Sequence, residues 1–121
     1  MNKRNSFAEL HRPGTPLLLY NIWDPGSARA VTEAGASAIA TGSMSLAGAQ
    51  GYADGEAMPL HEMLGIVRRI ATAVDLPLSV DFEGGYAADA GRLADHARSL
   101  AATGAVGCNL EDRVVHGEGL Y

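Results

Sequence analysis

The 121-residue chain is predicted to fold as an α/β domain built on a parallel sheet. Three observations carry that expectation. Short apolar runs alternate with segments of helical periodicity, at intervals suited to right-handed strand–helix–strand crossovers. The composition, 47% apolar and only 6% aromatic with 15 glycines, suits small-residue helices packed closely on a sheet and excludes a disordered polymer. Finally, Asp54, Asp81, Glu83 and Glu111 all fall at or after the C-terminal ends of predicted strands, the rim where parallel α/β folds build their sites.

In chain order, Phe7 to Arg12 is expected to form a short lead-in helix, with Phe7 and Leu10 packing under the first strand. Pro13-Gly14-Thr15-Pro16 reads as a turn. Leu17 to Ile22 is a continuous apolar run, as for a parallel strand buried on both faces. Asp24-Pro25 gives an N-cap acid followed by proline at the first helical position, so a helix follows over Ser27 to Ala34, with Ala28 and Val31 inward. Gly35 stops it. A second strand, Ala38 to Thr41, opens into a glycine-, alanine- and serine-rich stretch from Gly42 to Met58, whose length as a loop marks it as functional. After Pro59, the residues Leu60, Met63, Leu64, Val67, Ile70, Ala71 and Val74 keep the i, i+3, i+4, i+7 spacing of an amphipathic helix. Met63 on that stripe is read as core.

The rest of the chain is organised around Leu76 to Tyr86. It reads as a buried strand that ends in Asp81 and Glu83 and breaks into Gly84-Gly85. Residues i and i+2 of a strand share a face, so the two acids should project together. Such a pair repels and raises its own pKa values unless a cation or a donor sits between them. A third helix is expected from Ala87 to Ala102, with Ala90, Leu93, Ala94, Ala97, Leu100 and Ala101 inward, His96 on the solvated side, and Gly104 as the stop. Val106 to Asp112 makes a fourth strand, with Asn109 and Glu111 on one face. Cys108, the one cysteine, is expected to be a small buried core residue in a reducing compartment.

A net charge of −5 argues against a nucleic-acid surface. The apolar run from Pro16 to Tyr20 is too short to span a bilayer, and the N-terminus lacks a signal-peptide core. A cytoplasmic protein without membrane or nucleic-acid partners is therefore expected. Four carboxylates at one rim suggest a magnesium site, because a hard divalent cation prefers oxygen ligands and keeps several of its waters.

With these residues in view, the chain resembles the isocitrate lyase / phosphoenolpyruvate mutase superfamily along nearly its whole length. The resemblance rests on Tyr20-Asn21-Ile22-Trp23-Asp24, Thr41-Gly42-Ser43, Asp54, the run Val80-Asp81-Phe82-Glu83-Gly84-Gly85-Tyr86, and Asn109-Leu110-Glu111-Asp112. It implies a TIM-barrel-type (β/α)8 fold of roughly twice this length, of which residues 1–121, as a single domain, would supply about the first four strands, a half barrel. It also implies a Mg²⁺-dependent enzyme (or Mn²⁺ in its place) that makes or breaks a C–C or P–C bond in a small 2-oxo acid or related carboxylate, through an enolate-type intermediate. Asp81 would be the direct metal ligand, with Glu83, Glu111 and Asp54 holding the metal's waters. Thr41, Gly42 and Ser43 would bind the substrate carboxylate. The general acid/base stays unassigned.

The chain departs from the family pattern in three respects. Many members have Asp where this chain has Glu83. The lyase branch carries a catalytic cysteine in the gating loop after the fourth strand, whereas Arg113 to Tyr121 has none and Cys108 precedes the acids. That favours mutase-, hydrolase- or decarboxylase-like chemistry, and His116 in that loop is read as exposed. Third, strands five to eight are absent, so two open edges and an uncovered inner face point to a truncated product that forms a homo-oligomer. The rival reading is a catalytically incompetent half barrel that only binds metal or self-associates. A flavodoxin-like doubly wound domain would need a phosphate loop at Trp23-Asp24-Pro25-Gly26, which fits one poorly.

Overall fold

Four short parallel strands lie side by side in chain order: β1 (Tyr20–Ile22), β2 (Ile39–Thr41), β3 (Leu78–Asp81) and β4 (Gly107–Asn109). The chain is seen here as a computed structural model that describes residues 2–113 and 115. Tyr20 pairs with Ile39, Ile39 with Leu78, and Asp81 with Asn109. The strands therefore end together on one rim. Five helices accompany them among the described residues: α1 (Lys3–Leu10), α2 (Pro25–Glu33), α3 (Ser43–Ala49), α4 (Leu60–Ala73) and α5 (Ala90–Ala101). The outcome is the expected α/β architecture with a four-strand parallel sheet.

α1, α2 and α5 start where a capping side chain satisfies one of the first amides. Asp24 Oδ1 accepts the Ser27 N–H at 2.6 Å while Ser27 Oγ accepts the Asp24 N–H at 3.2 Å, a reciprocal cap with Pro25 as the first helical residue. Those bonds also hold the Asp24 carboxyl below its usual pKa. Asp89 caps α5 in the same manner through the Arg92 N–H at 2.9 Å.

α4 buries the predicted stripe: Met63, Val67 and Ile70, joined by Ile66, sit against Leu78, Val80 and Phe82 from the sheet side and Ala28 from α2. α1 closes the other end of the sheet. Leu10 borders the same groove as Leu18 and Tyr20, as expected. Phe7, by contrast, crosses to the opposite edge, where a Cβ on Gly107 would meet its ring at 2.6 Å. Gly107 is thus the space that Phe7 occupies. Lys3 Nζ ties the helix down by donating to the Val74 carbonyl at 3.0 Å.

Where burial was expected and is not found, the reason is the lack of a second covering layer at the edges. β1 is not buried on both faces; Leu18 and Tyr20 are 67% and 57% exposed. On β4, Cys108 is exposed rather than core. Along α5 only Leu100 is fully buried, with Leu93 and His96 half-buried, and the expected inward alanines 90, 94, 97 and 101 face out. His96 is not simply solvated, since its Nδ1 lies 2.8 Å from the Gly85 carbonyl. The stretch 42–58 is not one loop: Ser43–Ala49 is helical and buries Leu46 and Ala47. His116 and the residues after it lie outside the described residues.

Candidate active site

β3 carries Asp81 to the rim, and its neighbours fix it there. The Asp81 N–H donates to Thr41 Oγ1 at 3.1 Å, so the buried hydroxyl at the end of β2 sets the height of β3. Past Thr41 the chain turns at Gly42 straight into α3, which aims the Ser43 N–H at Asp81 Oδ2, 3.2 Å away. Glycine suits this approach: a Cβ there would stand 2.9 Å from Asn21 Nδ2 and 3.0 Å from Ser45 Oγ, so those side-chain ends would have to shift. The other carboxylate oxygen, Oδ1, accepts the Glu83 N–H at 3.2 Å. Asp81 is therefore held rigidly by two backbone amides, and the half-buried carboxylate keeps lone pairs for a further partner.

Beyond Asp81 the backbone goes left-handed at Glu83 (φ 52°) and again at Tyr86 (φ 58°). Glu83 thus lies past the regular strand, and it lines one small cavity together with Asp81. Its buried side chain reaches back to the loop after α3, where Oε1 accepts the N–H groups of Gly55 and Glu56, both at 3.1 Å. Tyr86 donates its hydroxyl to Glu83 Oε2 at 3.0 Å. The loop after α3 answers in kind. Glu56, itself left-handed (φ 62°), accepts the Gly84 N–H at 3.1 Å and the Tyr86 N–H at 2.9 Å through Oε2.

Burial raises the Glu83 carboxyl above its usual pKa, with the negative charge of Asp54 adding to it; the Tyr86 hydroxyl and the two amides oppose the rise. The Tyr86 phenol is pushed well above its usual range, first by burial and then by the neighbouring carboxylates.

Glu111 joins this group through its backbone, donating its N–H to the Glu83 carbonyl at 2.7 Å. Its exposed carboxylate accepts from Arg113 Nε at 2.7 Å, and that bond holds the Arg113 guanidinium above its usual pKa. Asp54 is exposed but close enough to bear on both Glu83 and Arg113. The predicted residues Thr41, Gly42, Ser43, Asp54, Asp81, Glu83 and Glu111 thus gather at one end of the sheet. Thr41 and Ser43 there serve Asp81 directly.

Sequence reasoning missed Glu56, the partnering role of Tyr86, and Arg113. A faint signal existed for the first: Asp54-Gly55-Glu56 and Glu83-Gly84-Gly85 are both acid–glycine turns.

Thr41, Ser43, Glu56, Asp81, Glu83 and Tyr86 line a cavity of about 10 Å³, near the lower limit for one water molecule. No group of three or more His, Cys, Asp or Glu among the described residues is arranged so that it could hold a metal ion. A hydrated Mg²⁺ does not need such a cage, being bound by one or two carboxylates and its own waters. The donor set fits that mode: all oxygen, with Asp54, Asp81 and Glu83 in no ion pair among the described residues.

The comparisons with known proteins bear on this geometry. The family model described as phosphoenolpyruvate phosphomutase matches residues 7–121. The chain belongs to the phosphoenolpyruvate phosphomutase family. A family structure from Burkholderia cenocepacia J2315, provisionally named a phosphonomutase, is 46% identical; it superposes with a TM-score of 0.96 over 100% of this chain and 49% of its own. An uncharacterized protein of Mycobacterium tuberculosis (strain H37Rv) is 33% identical over 88% of this chain and 40% of its own length. A phosphonopyruvate hydrolase solved with oxalate and Mg²⁺ shares the fold at 21% identity, with a TM-score of 0.90 over 98% of this chain and 41% of its own. The chain therefore spans less than half the length of each of these three proteins. No helix among the described residues is long and apolar enough to cross a membrane.

Proposed function

We propose that this chain is the N-terminal half of a (β/α)8 barrel enzyme, Mg²⁺-dependent and of lyase or mutase type, acting on a small 2-oxo acid or related carboxylate. The chemistry would make or break a C–C or P–C bond through an enolate-type intermediate. The observation that carries this reading is the setting of Asp81: a half-buried carboxylate without an ion-pair partner among the described residues, fixed by the Ser43 and Glu83 amides at the mouth of the sheet. Asp81 would hold the ion directly; Glu83, Glu111 and Asp54 would hold its waters. When bound, Mg²⁺ supplies a positive charge that favours electron withdrawal from a substrate carbonyl.

Thr41, Gly42 and Ser43 would orient the substrate carboxylate. The Thr41 hydroxyl accepts one bond from Asp81 and keeps its hydrogen to donate. The Ser43 N–H, which donates to Asp81, would be shared with an incoming carboxylate, so substrate and Asp81 would be held by one and the same turn. Arg113, paired with Glu111 at the rim, would draw anions to an otherwise acidic mouth. A cytoplasmic location is part of this proposal.

The test is calorimetric titration of Mn²⁺ and Mg²⁺ with and without oxalate, followed by assays on oxaloacetate and phosphonopyruvate. Binding strengthened by oxalate, and weakened at least about tenfold in Asp81→Asn, is the expected result. Absence of metal binding, or binding indifferent to that substitution, would overturn the proposal.

A second reading is favoured by the large apolar side chains left exposed, Leu18, Tyr20, Trp23, Met44 and Leu110. Under it the chain self-associates and binds metal without turnover. Sedimentation at rising concentration, paired with the same assays, separates the two.

A further inference from the structure

We infer that Glu56 is a positioning residue for the acidic site, acting through Glu83 and Tyr86 rather than on metal or substrate. The inference rests on the functional reading above and adds to it a residue that reading does not use. Glu56 lines the same small cavity as Asp81 and Glu83, yet its Oε2 is committed to the amides of Gly84 and Tyr86. Those two amides belong to the turn that carries Glu83. Glu83 in return holds the Gly55 and Glu56 amides, in the turn that carries Glu56. Each carboxylate thus shapes the loop that presents the other.

The backbone shows what this exchange accomplishes. Glu56, Glu83 and Tyr86 are the non-glycine residues with positive φ among those described. Bulky side chains stay in that region only when their surroundings over-determine it. Here the surroundings are the crossed bonds themselves, together with the Tyr86 hydroxyl on Glu83 Oε2. Remove the Glu56 acceptor and the turn at Glu83 loses its reason to stay left-handed. The Glu83 carboxylate and the amide that Glu83 gives to Asp81 Oδ1 would then move with it. Glu56 therefore reaches Asp81 through one intervening residue.

Two substitutions separate positioning from a charge effect. Glu56→Gln keeps the reach and an acceptor oxygen but loses the charge. Glu56→Asp keeps the charge and loses a methylene of reach. Mn²⁺ affinity by calorimetry and amide hydrogen exchange at Gly84 and Tyr86 are read on the full chain, with Val80 in β3 as the folding control. Positioning predicts that Glu56→Gln stays within about threefold of the parent, whereas Glu56→Asp loses about tenfold or more in affinity, the range typical of residues that orient metal ligands. Exchange at Gly84 and Tyr86 would speed up in Glu56→Asp while Val80 stays protected. The reverse ranking, with Gln impaired and Asp sound, overturns the inference, as do two variants indistinguishable from the parent. Should the parent itself bind no Mn²⁺, the functional reading fails separately, and the exchange ranking alone decides whether Glu56 positions the turn.

Discussion

Glu56 and Glu83, far apart in sequence, each accept two backbone amides from the turn that carries the other. Two loops, one after α3 and one after β3, are thereby fastened to each other. Charge-assisted bonds from backbone N–H to carboxylate are among the stronger hydrogen bonds available, and here they are the means by which the rim is shaped.

Truncating one partner should expose that dependence. Glu83→Ala leaves the Gly55 and Glu56 amides and the Tyr86 hydroxyl without their acceptor, and an orphaned buried donor costs about 1–3 kcal/mol. Tyr86→Phe removes a single bond and should cost about 0.5–1.5 kcal/mol. Urea unfolding of both variants, with unchanged slope, is the measurement; equal losses would contradict the shared role of Glu83.

The α2 cap gives a pH signature away from the site. Because Asp24 has a lowered carboxyl pKa in the folded chain, its contribution is present above the unfolded carboxylate pKa and fades as pH falls through the folded one. Asp24→Ala should cost about 1 kcal/mol near neutrality. The gap between variant and parent should shrink below about pH 3.9, the ordinary Asp value, in denaturation midpoints measured across that range.

Gly85 has φ 76°, and a Cβ there would fall 2.2 Å from Leu93 Cδ1. Gly85→Ala should therefore combine overpacking of about 1–3 kcal/mol with left-handed strain of about 1–2 kcal/mol. It should also displace α5, visible as faster exchange at Leu93 and loss of the His96 contact to the Gly85 carbonyl. A variant as stable as the parent would show that the α5 contact is dispensable.

Cys108 faces solvent on β4. A thiol reagent should modify it in the native chain at close to the rate seen in urea. Strong protection that fades on dilution would instead show that β4 is covered by another molecule in solution.

The strand–helix order, the α4 stripe and the cap at Asp24 were all legible in the sequence because each follows from local periodicity or a two-residue signal. Asp81 was legible for the same reason, as the last residue of an apolar strand. Glu56 was not, since its role depends on amides in a different loop and no local spacing encodes such a pairing. α3 was read as loop because Gly42, Ser43 and Ser45 look like turn residues, although Leu46 and Ala47 bury as a helix face would. Cys108 and Leu18 were placed inside because apolar runs report a preference for burial, while actual burial needs a second layer. The amides that Glu83 holds were not legible, since strict alternation ends where φ changes sign.

The sheet has two different margins, β1 on one side and β4 on the other, each hydrogen-bonded on one side only among the described strands. Like margins meeting would give a two-fold dimer that leaves the other kind of margin free at both ends. Unlike margins meeting, with β4 of one copy alongside β1 of the next, would extend the strand sequence in its own direction, and only the curvature of the arc would decide between a closed ring and an endless fibre.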